Sequence, residues 1–300
     1  MGSSSVKVII AAHKKCELPR DEIYLPVFVG AALKRSGALE TSETSGASEA
    51  SGASEASGAS EASVIPEGFT PDDTGENISV KNPYYCELTG LYWAWKNLRD
   101  DYIGLVHYRR FLGRRGSKKD PYAGVLTKKL WDKELAANPD IKVIVPQKRN
   151  YYIETLGSHY AHTHDATHLV TTRAIIAEQQ PDYLNSFDRV IRQRSGHMFN
   201  MMIMKRDMLD NYCNWLFPIL DELVKRTDIS GLSAFDARFP GRIAEILLNV
   251  WLDFNADIGI ISRRSIVSMS FFEAGRVNWL KKGTSFLSAK FTGKRYKGSF

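Results

Sequence analysis

The chain is poor in cysteine and has no long apolar stretch. Its three cysteines, Cys16, Cys86 and Cys213, are odd in number and far apart in a sequence of 300 residues. That spacing argues against a disulfide framework and fits reduced thiols. No apolar run approaches the ~18 residues needed to cross a bilayer. The first residues lack the basic segment and apolar core of a secretory signal, so a cytoplasmic location is expected. The hexad Ser-Gly-Ala-Ser-Glu-Ala, repeated three times across 45–62, contains no large apolar residue. It cannot offset the entropy of ordering, and 38–63 is predicted to be a flexible, low-complexity insert. Acidic residues are absent after Glu273, whereas seven basic residues and five aromatics follow it. A tail of that composition over 276–300 suits an anionic membrane surface or remains a solvated, partly ordered end. No recognition motif for nucleic acid accompanies it, so nucleic acid is not expected as a partner.

What is present is a globular composition, 43% hydrophobic and 25% charged, with a net charge of +6. The insert carries five glutamates and no basic residue, which leaves the remainder at +11. Apolar runs of strand length alternate with helix-period segments. Val6 to Ala12 predicts a first strand, 22–35 a helix, Tyr102 to Val106 a buried strand, and 127–137 a helix. Ile141 to Val145 predicts a strand stopped by Pro146, and 164–180 and 183–194 two helices parted by Pro181. Met198 to Met204 predicts a strand, and Asp207 caps a long helix with Asp210 in capping-box position. Gly241 to Phe254 predicts a further helix, and Ile258 to Ile261 a last strand. The alternation defines an α/β layered fold, with a mixed sheet flanked by helices.

The chain is organised around residues 82–112. Asn82 suits an N-cap and Pro83 the first helical position, and Leu88, Leu91, Tyr92, Trp95 and Leu98 recur on one face. Asp100-Asp101 ends the helix. The strand that follows runs into His107, Arg109 and Arg110. In open α/β sheets ligands bind beyond the carboxyl ends of strands, so three groups able to carry positive charge there point to an anionic ligand such as a diphosphate. His13 and Lys14 follow the first strand in the same way. The basic, glycine-containing residues 111–122 read as a loop.

Three further constellations stand out. His159, His162, His164 and His168 include a four-residue spacing that suits either metal ligation or exposed histidines near a helix start. Glu245, in the first turns of a helix with Asp236 and Arg238 upstream, is a base near neutral pH only if burial raises its pKa. In His197-Met198-Phe199-Asn200, Asn200 interrupts an apolar strand and is either a structural hydrogen bonder or a sugar contact.

Several stretches together resemble a bacterial family, long labelled a domain of unknown function, from capsular-polysaccharide and O-antigen biosynthesis. It includes galactofuranosyltransferases. The stretches are Val29-Gly30-Ala31-Ala32-Leu33, Gly75-Glu76-Asn77-Ile78, the run from Lys81 through Thr89, Tyr102 through Arg110, Asn200 through Lys205, and Ala244 through Leu252. The resemblance implies a glycosyltransferase-A-like (Rossmann-like) single domain over 1–275, interrupted by the insert, with the tail outside it. It implies a uridine-diphosphate-linked sugar donor, galactofuranose by association, and a glycan or lipid-linked glycan acceptor; inverting transfer is the working expectation.

On that basis Glu245, or failing it Asp236, is the base. His13, Lys14, Asn77, Lys81, His107, Arg109, Arg110 and His164 lie toward the donor, and His197, Asn200 and Arg238 toward the acceptor. Many enzymes of this fold place an Asp-X-Asp metal motif after the central strand, whereas this chain has His107-Tyr108-Arg109. Use of manganese or magnesium therefore stays open, with arginines able to neutralise the leaving diphosphate instead. Arg242 stands where the family has an apolar residue. Two other readings remain beside the transferase: a non-catalytic nucleotide-sugar or glycan-binding module, and a metal-dependent hydrolase built on the histidines. The tail would hold a cytoplasmic enzyme at the inner membrane face.

Overall fold

The computed structural model describes residues 4–37, 64–117 and 120–274. The insert 38–63 and the tail 276–300 lie outside the described residues. In chain order the elements are β1 (Val6–Ala12), β2 (Tyr24–Phe28), α1 (Ala31–Arg35), β3 (Thr70–Pro71), α2 (Asn82–Tyr85), α3 (Leu88–Asn97), β4 (Tyr102–His107), β5 (Arg110–Leu112) and α4 (Lys128–Ala137). They continue with β6 (Val143–Pro146), β7 (Arg149–Asn150), α5 (Leu156–Thr163), α6 (Thr167–Gln179), α7 (Leu184–Val190), β8 (Ser195–Gly196), β9 (Met202–Lys205), α8 (Arg206–Arg226), α9 (Phe239–Asp257), β10 (Ile266–Met269) and β11 (Phe271–Glu273).

The main sheet runs β10-β6-β9-β4-β1-β2-β3, with β5 attached to β4 and β11 to β5. β1 lies between β2 and β4 and is parallel to both, while β9 runs antiparallel between β4 and β6. Chain order departs from β1 in both directions, so a topological switch point opens beyond the carboxyl ends of β1 and β4. The inner strands are apolar on both faces because helices cover both. One cluster, with Leu88, Leu91, Leu216 and Trp251, packs α3, α8 and α9 on one face. A smaller one, with Ile10, Phe111 and Trp131, packs α4 on the other. α3 approaches the sheet closely at Gly90, where a Cβ would meet Val29 at 3.0 Å and Ile9 at 3.2 Å. Among the described residues no helix is long and apolar enough to cross a membrane.

Local expectations are corrected at five places. The predicted helix over 22–35 is β2 followed by the single-turn α1. Its short apolar run suited either element, and pairing with β1 decided it. The predicted helix from Asn82 to Arg99 is broken at Cys86, whose φ of 50° interrupts it. Asn82 has helical backbone angles, and its amide reaches forward to the Cys86 carbonyl at 2.8 Å and the Thr89 hydroxyl at 3.2 Å instead of capping its own helix. Residues 110–112, read largely as loop, form β5 against β4 and β11. Asp207 lies inside the first turn of α8, and Asp210 accepts from Trp95 Nε1, so no capping box forms. Ile258 to Ile261 is a turn around Gly259 at φ 77°, and the edge strand β10 comes later.

The two sides of the insert are joined by Asp72. This buried carboxylate accepts from the Gly30 and Ala31 amides, both at 3.0 Å, and from the Thr89 hydroxyl at 2.6 Å. Ser79 donates to it as well. Gly30 has φ 76°, and a Cβ there would come within 2.8 Å of the Asn82 side chain, so glycine is required at that turn.

Candidate functional site

Two groups of polar side chains meet at the switch point. The first surrounds Tyr108, in the turn after β4. His13 sets its ring edge-on to Tyr108 with centroids 5.3 Å apart. The Arg109 guanidinium lies 5.0 Å from the Tyr108 ring centre and the Lys14 ammonium 6.0 Å. His13, Lys14 and Arg109 are exposed, so the carboxyl ends of β1 and β4 present an open cationic platform.

The second group is half-buried and centres on Glu245, in α9. It forms where the Cys86 break turns Glu87 inward and where Phe199 and Asn200, at φ 74° and 51°, delay the start of β9. Two consecutive non-glycine residues in the left-handed region carry strain, and such strain concentrates at functional sites. The kink aims the Phe199 carbonyl at His107 Nε2, 2.5 Å away, and sends the Asn200 amide to Glu87 Oε1 at 2.7 Å and to the Gly241 carbonyl at 2.9 Å. Glu87 Oε1 also lies 3.9 Å from His107 Nε2. A carbonyl only accepts, so His107 Nε2 carries the hydrogen. Burial pushes the His107 pKa down, against the pull of Glu87, and the ring is neutral.

Burial, and next the Glu87 carboxylate, push the Glu245 pKa from 4.5 up to about 7. A hydrogen bond from the Phe199 backbone and the charges of Arg110 and Arg149 act in the other direction. Arg110 is held between Glu273, 3.2 Å away, and the Phe199 ring, 4.3 Å away. Arg149 lies over the Tyr151 ring at 4.9 Å. The result is a partly exposed carboxyl that exchanges its proton near neutral pH beside two arginines. Cys86 adjoins the group, but burial pushes its thiol up to about 12, so it is no nucleophile. All three cysteines are free.

The remaining predicted residues are dispersed. Asp236 and Arg238 are exposed just before α9, with Asp236 exchanging bonds with Ser233. Asn77 turns its amide onto the Gly75 carbonyl and the Ser79 amide, which makes it part of its own loop. Lys81 pairs with Asp221 of α8 at 2.6 Å. His197 is buried with Nδ1 2.6 Å from the Pro146 carbonyl, and burial pushes its pKa down to about 4. The four histidines part company. His159 and His162 each place Nδ1 2.7 Å from a different oxygen of buried Glu154. Burial alone would raise Glu154, and those hydrogen bonds more than offset it. His168 stacks on Phe239 and meets the Tyr160 hydroxyl, and His164 meets Arg242.

Among the described residues no three His, Cys, Asp or Glu side chains are gathered so as to hold a metal ion. Around the end of β4 the side chains are neutral His107 with Tyr108, Arg109 and Arg110, so a single imidazole is the one metal-ligand type there. Sequence reasoning missed Glu87, Arg149 and Tyr151. Glu87 had a visible signal, a carboxylate directly before an apolar helix face, but Arg149 and Tyr151 had none.

The architecture is that of a glycosyltransferase-A-like domain. A solved structure described as a WbbM bifunctional glycosyltransferase in its apo state matches it with a TM-score of 0.68 and 25% identity, over 90% of this chain and 46% of that one. This chain therefore spans about half the length of that protein. The chain belongs to the family described as Domain of unknown function (DUF4422), whose model matches residues 7–256. A search of curated proteins gave no match.

Proposed function

We propose that the protein is an inverting glycosyltransferase that moves a sugar from a uridine-diphosphate donor to a hydroxyl of a glycan or lipid-linked glycan in cell-surface polysaccharide synthesis. Galactofuranose is the sugar we favour. The carrying observation is Glu245, a carboxyl with a pKa of about 7 on which Arg110, just past the end of β4, and Arg149 both act. The fold of the WbbM neighbour, a glycosyltransferase by its title, supports the class.

In this reading His13, Lys14 and Arg109 receive the diphosphate, with Arg110 behind them. Above neutral pH Glu245 is the carboxylate that accepts the acceptor's hydroxyl proton, as a base whose pKa lies near working pH should. The acceptor oxygen forms its bond to the anomeric carbon from one face while the bond to the diphosphate oxygen breaks on the other. The electron pair leaves with the nucleoside diphosphate, whose charge the cations stabilise. Asn200 holds Glu87, and Glu87 keeps the proton affinity of Glu245 high. No step is assigned to a metal. We place the enzyme in the cytoplasm at the inner membrane face, as one catalytic domain over 1–275 with the basic tail as its membrane contact.

A thermal-shift titration with uridine diphosphate, with manganese and with chelator, tests the reading, because ligand binding stabilises the folded state by mass action. A saturable shift that survives chelator is expected. Absence of any shift overturns the nucleotide site.

A further inference from the structure

A cavity of about 200 Å³ lies along the C-terminal half of α9. It is lined by Asn249, Leu252, Asp253 and Ala256 of that helix, with Lys148, Gln193 and His197 facing them. Asn249, Leu252 or Asp253, and Ala256 follow Glu245 at helical spacing, so the cavity continues the same helix face. It begins about one turn, ~5 Å, beyond Glu245 and extends roughly two turns further. We infer that this cavity is a subsite for one sugar ring of the acceptor glycan, lying beyond the sugar that is glycosylated. The inference rests on the transferase reading above.

The chemistry of the lining selects the ligand. His197 is clamped on both backbone groups by Asn249, with both hydrogen bonds at 2.8 Å, and Asn249 also donates to the Glu245 carbonyl at 2.8 Å. Its Nδ1 faces the Pro146 carbonyl, which only accepts, so Nδ1 carries the hydrogen. The ring is neutral, and Nε2 is therefore a standing acceptor. That nitrogen matches a hydroxyl, which can donate to it. Asp253 adds a second acceptor, held by Arg189 at 2.6 Å. Lys148, Arg263 and Gln193 supply donors, while Leu252, Ala256 and Ile266 supply an apolar floor. Donors and acceptors mixed around an apolar floor fit a polyol ring. The volume falls below the ~300 Å³ lower end of sites for drug-sized molecules and suits one ring instead of a nucleotide. A glycan laid along α9 would put one hydroxyl at Glu245 and a preceding ring in the cavity.

The test is saturation-transfer NMR on the full chain with a panel of methyl hexosides and short oligosaccharides at millimolar concentration. It compares wild type with Ala256→Trp, which fills the cavity, and Lys148→Ala, which removes an exposed donor. At least one saccharide should bind wild type, with about tenfold weaker binding to Ala256→Trp and a smaller loss for Lys148→Ala. The thermal shift with uridine diphosphate should be the same in all three proteins. Equal saccharide binding in wild type and both variants overturns the subsite, as does the failure of every panel member to bind wild type. If Ala256→Trp does not fold, Lys148→Ala alone decides. Loss of the uridine diphosphate shift in wild type would instead overturn the transferase reading, so the two failures are distinguishable.

Discussion

Replacing Glu245 by glutamine should stabilise the protein while disabling it, and the stabilisation should depend on pH. The carboxyl has a pKa of about 7 in the fold against 4.5 when free. At ~1.4 kcal/mol per tenfold change in proton affinity, keeping it ionised in the folded state costs about 3 kcal/mol. Between pH 4.5 and 7 the folded protein holds this proton and the unfolded chain does not, so stability falls as pH rises through that window. The full cost applies above pH 7, and almost none below 4.5. Glutamine has no charge to desolvate and still accepts from the Phe199 backbone, so the variant avoids the cost. At roughly 2 °C per kcal/mol for a chain of this size, its Tm should exceed that of wild type by about 6 °C at pH 8 and by little at pH 5. Scanning calorimetry of both proteins at the two pH values is the assay. A Tm difference that is the same at pH 5 and pH 8 would refute the claim that this carboxyl titrates near neutrality. In turnover the same variant should lose about 10²- to 10⁴-fold, the usual contribution of a positioned base.

Glu87→Gln preserves an acceptor for Asn200 but removes the neighbouring charge, so the acidic limb of the rate profile should move to lower pH; an unmoved limb would assign the high proton affinity of Glu245 to burial alone. Lys14→Ala and Arg109→Ala should each weaken uridine diphosphate about tenfold in calorimetric titration, as loss of one charge-assisted contact does. Unchanged affinity in both would move the diphosphate away from Tyr108. Asp72→Ala leaves four buried donors without their acceptor and should destabilise the fold by roughly 3–5 kcal/mol in urea unfolding, among the largest single effects expected here. A loss below about 1 kcal/mol would contradict its role as the joint between the segments around the insert.

The layered α/β plan was legible because the inner strands are short apolar runs and the long helices are periodic. β1 and β4 appear where their patterns place them, and with them the exposed group of His13, Lys14 and Arg109. Where sequence reading failed, tertiary context decided. β2 contains a proline and an apolar run that reads equally well as a helix, and only its pairing with β1 separates the two. The break at Cys86 is invisible because a positive φ at a non-glycine residue is imposed by surrounding packing. The half-buried group around Glu245 depends on that break and on the Phe199–Asn200 kink, so Glu87 could not be brought to Glu245 by spacing arguments. His107 and Arg110 pair with each other and both meet Phe199, whereas Arg109 between them is exposed, because the chain reverses between β4 and β5.

The Asp72 joint has a consequence for how the chain can be divided. The central strand β1, its neighbour β2 and the turn at Gly30 come from before residue 38, whereas Asp72 and the other elements that it fastens to that turn, the turn at Ser79 and the start of α3, come from after residue 63. Cleavage between Gly37 and Val64 would leave a short piece holding the middle of the sheet and a long piece holding its rims. Neither is a domain, because β4 in the long piece would show an open edge where β1 belongs. The two should find each other through strand pairing and the carboxylate's two bonds to the Gly30 and Ala31 amides. The two pieces, separately expressed, would then form a complementing pair, with activity returning only on mixing.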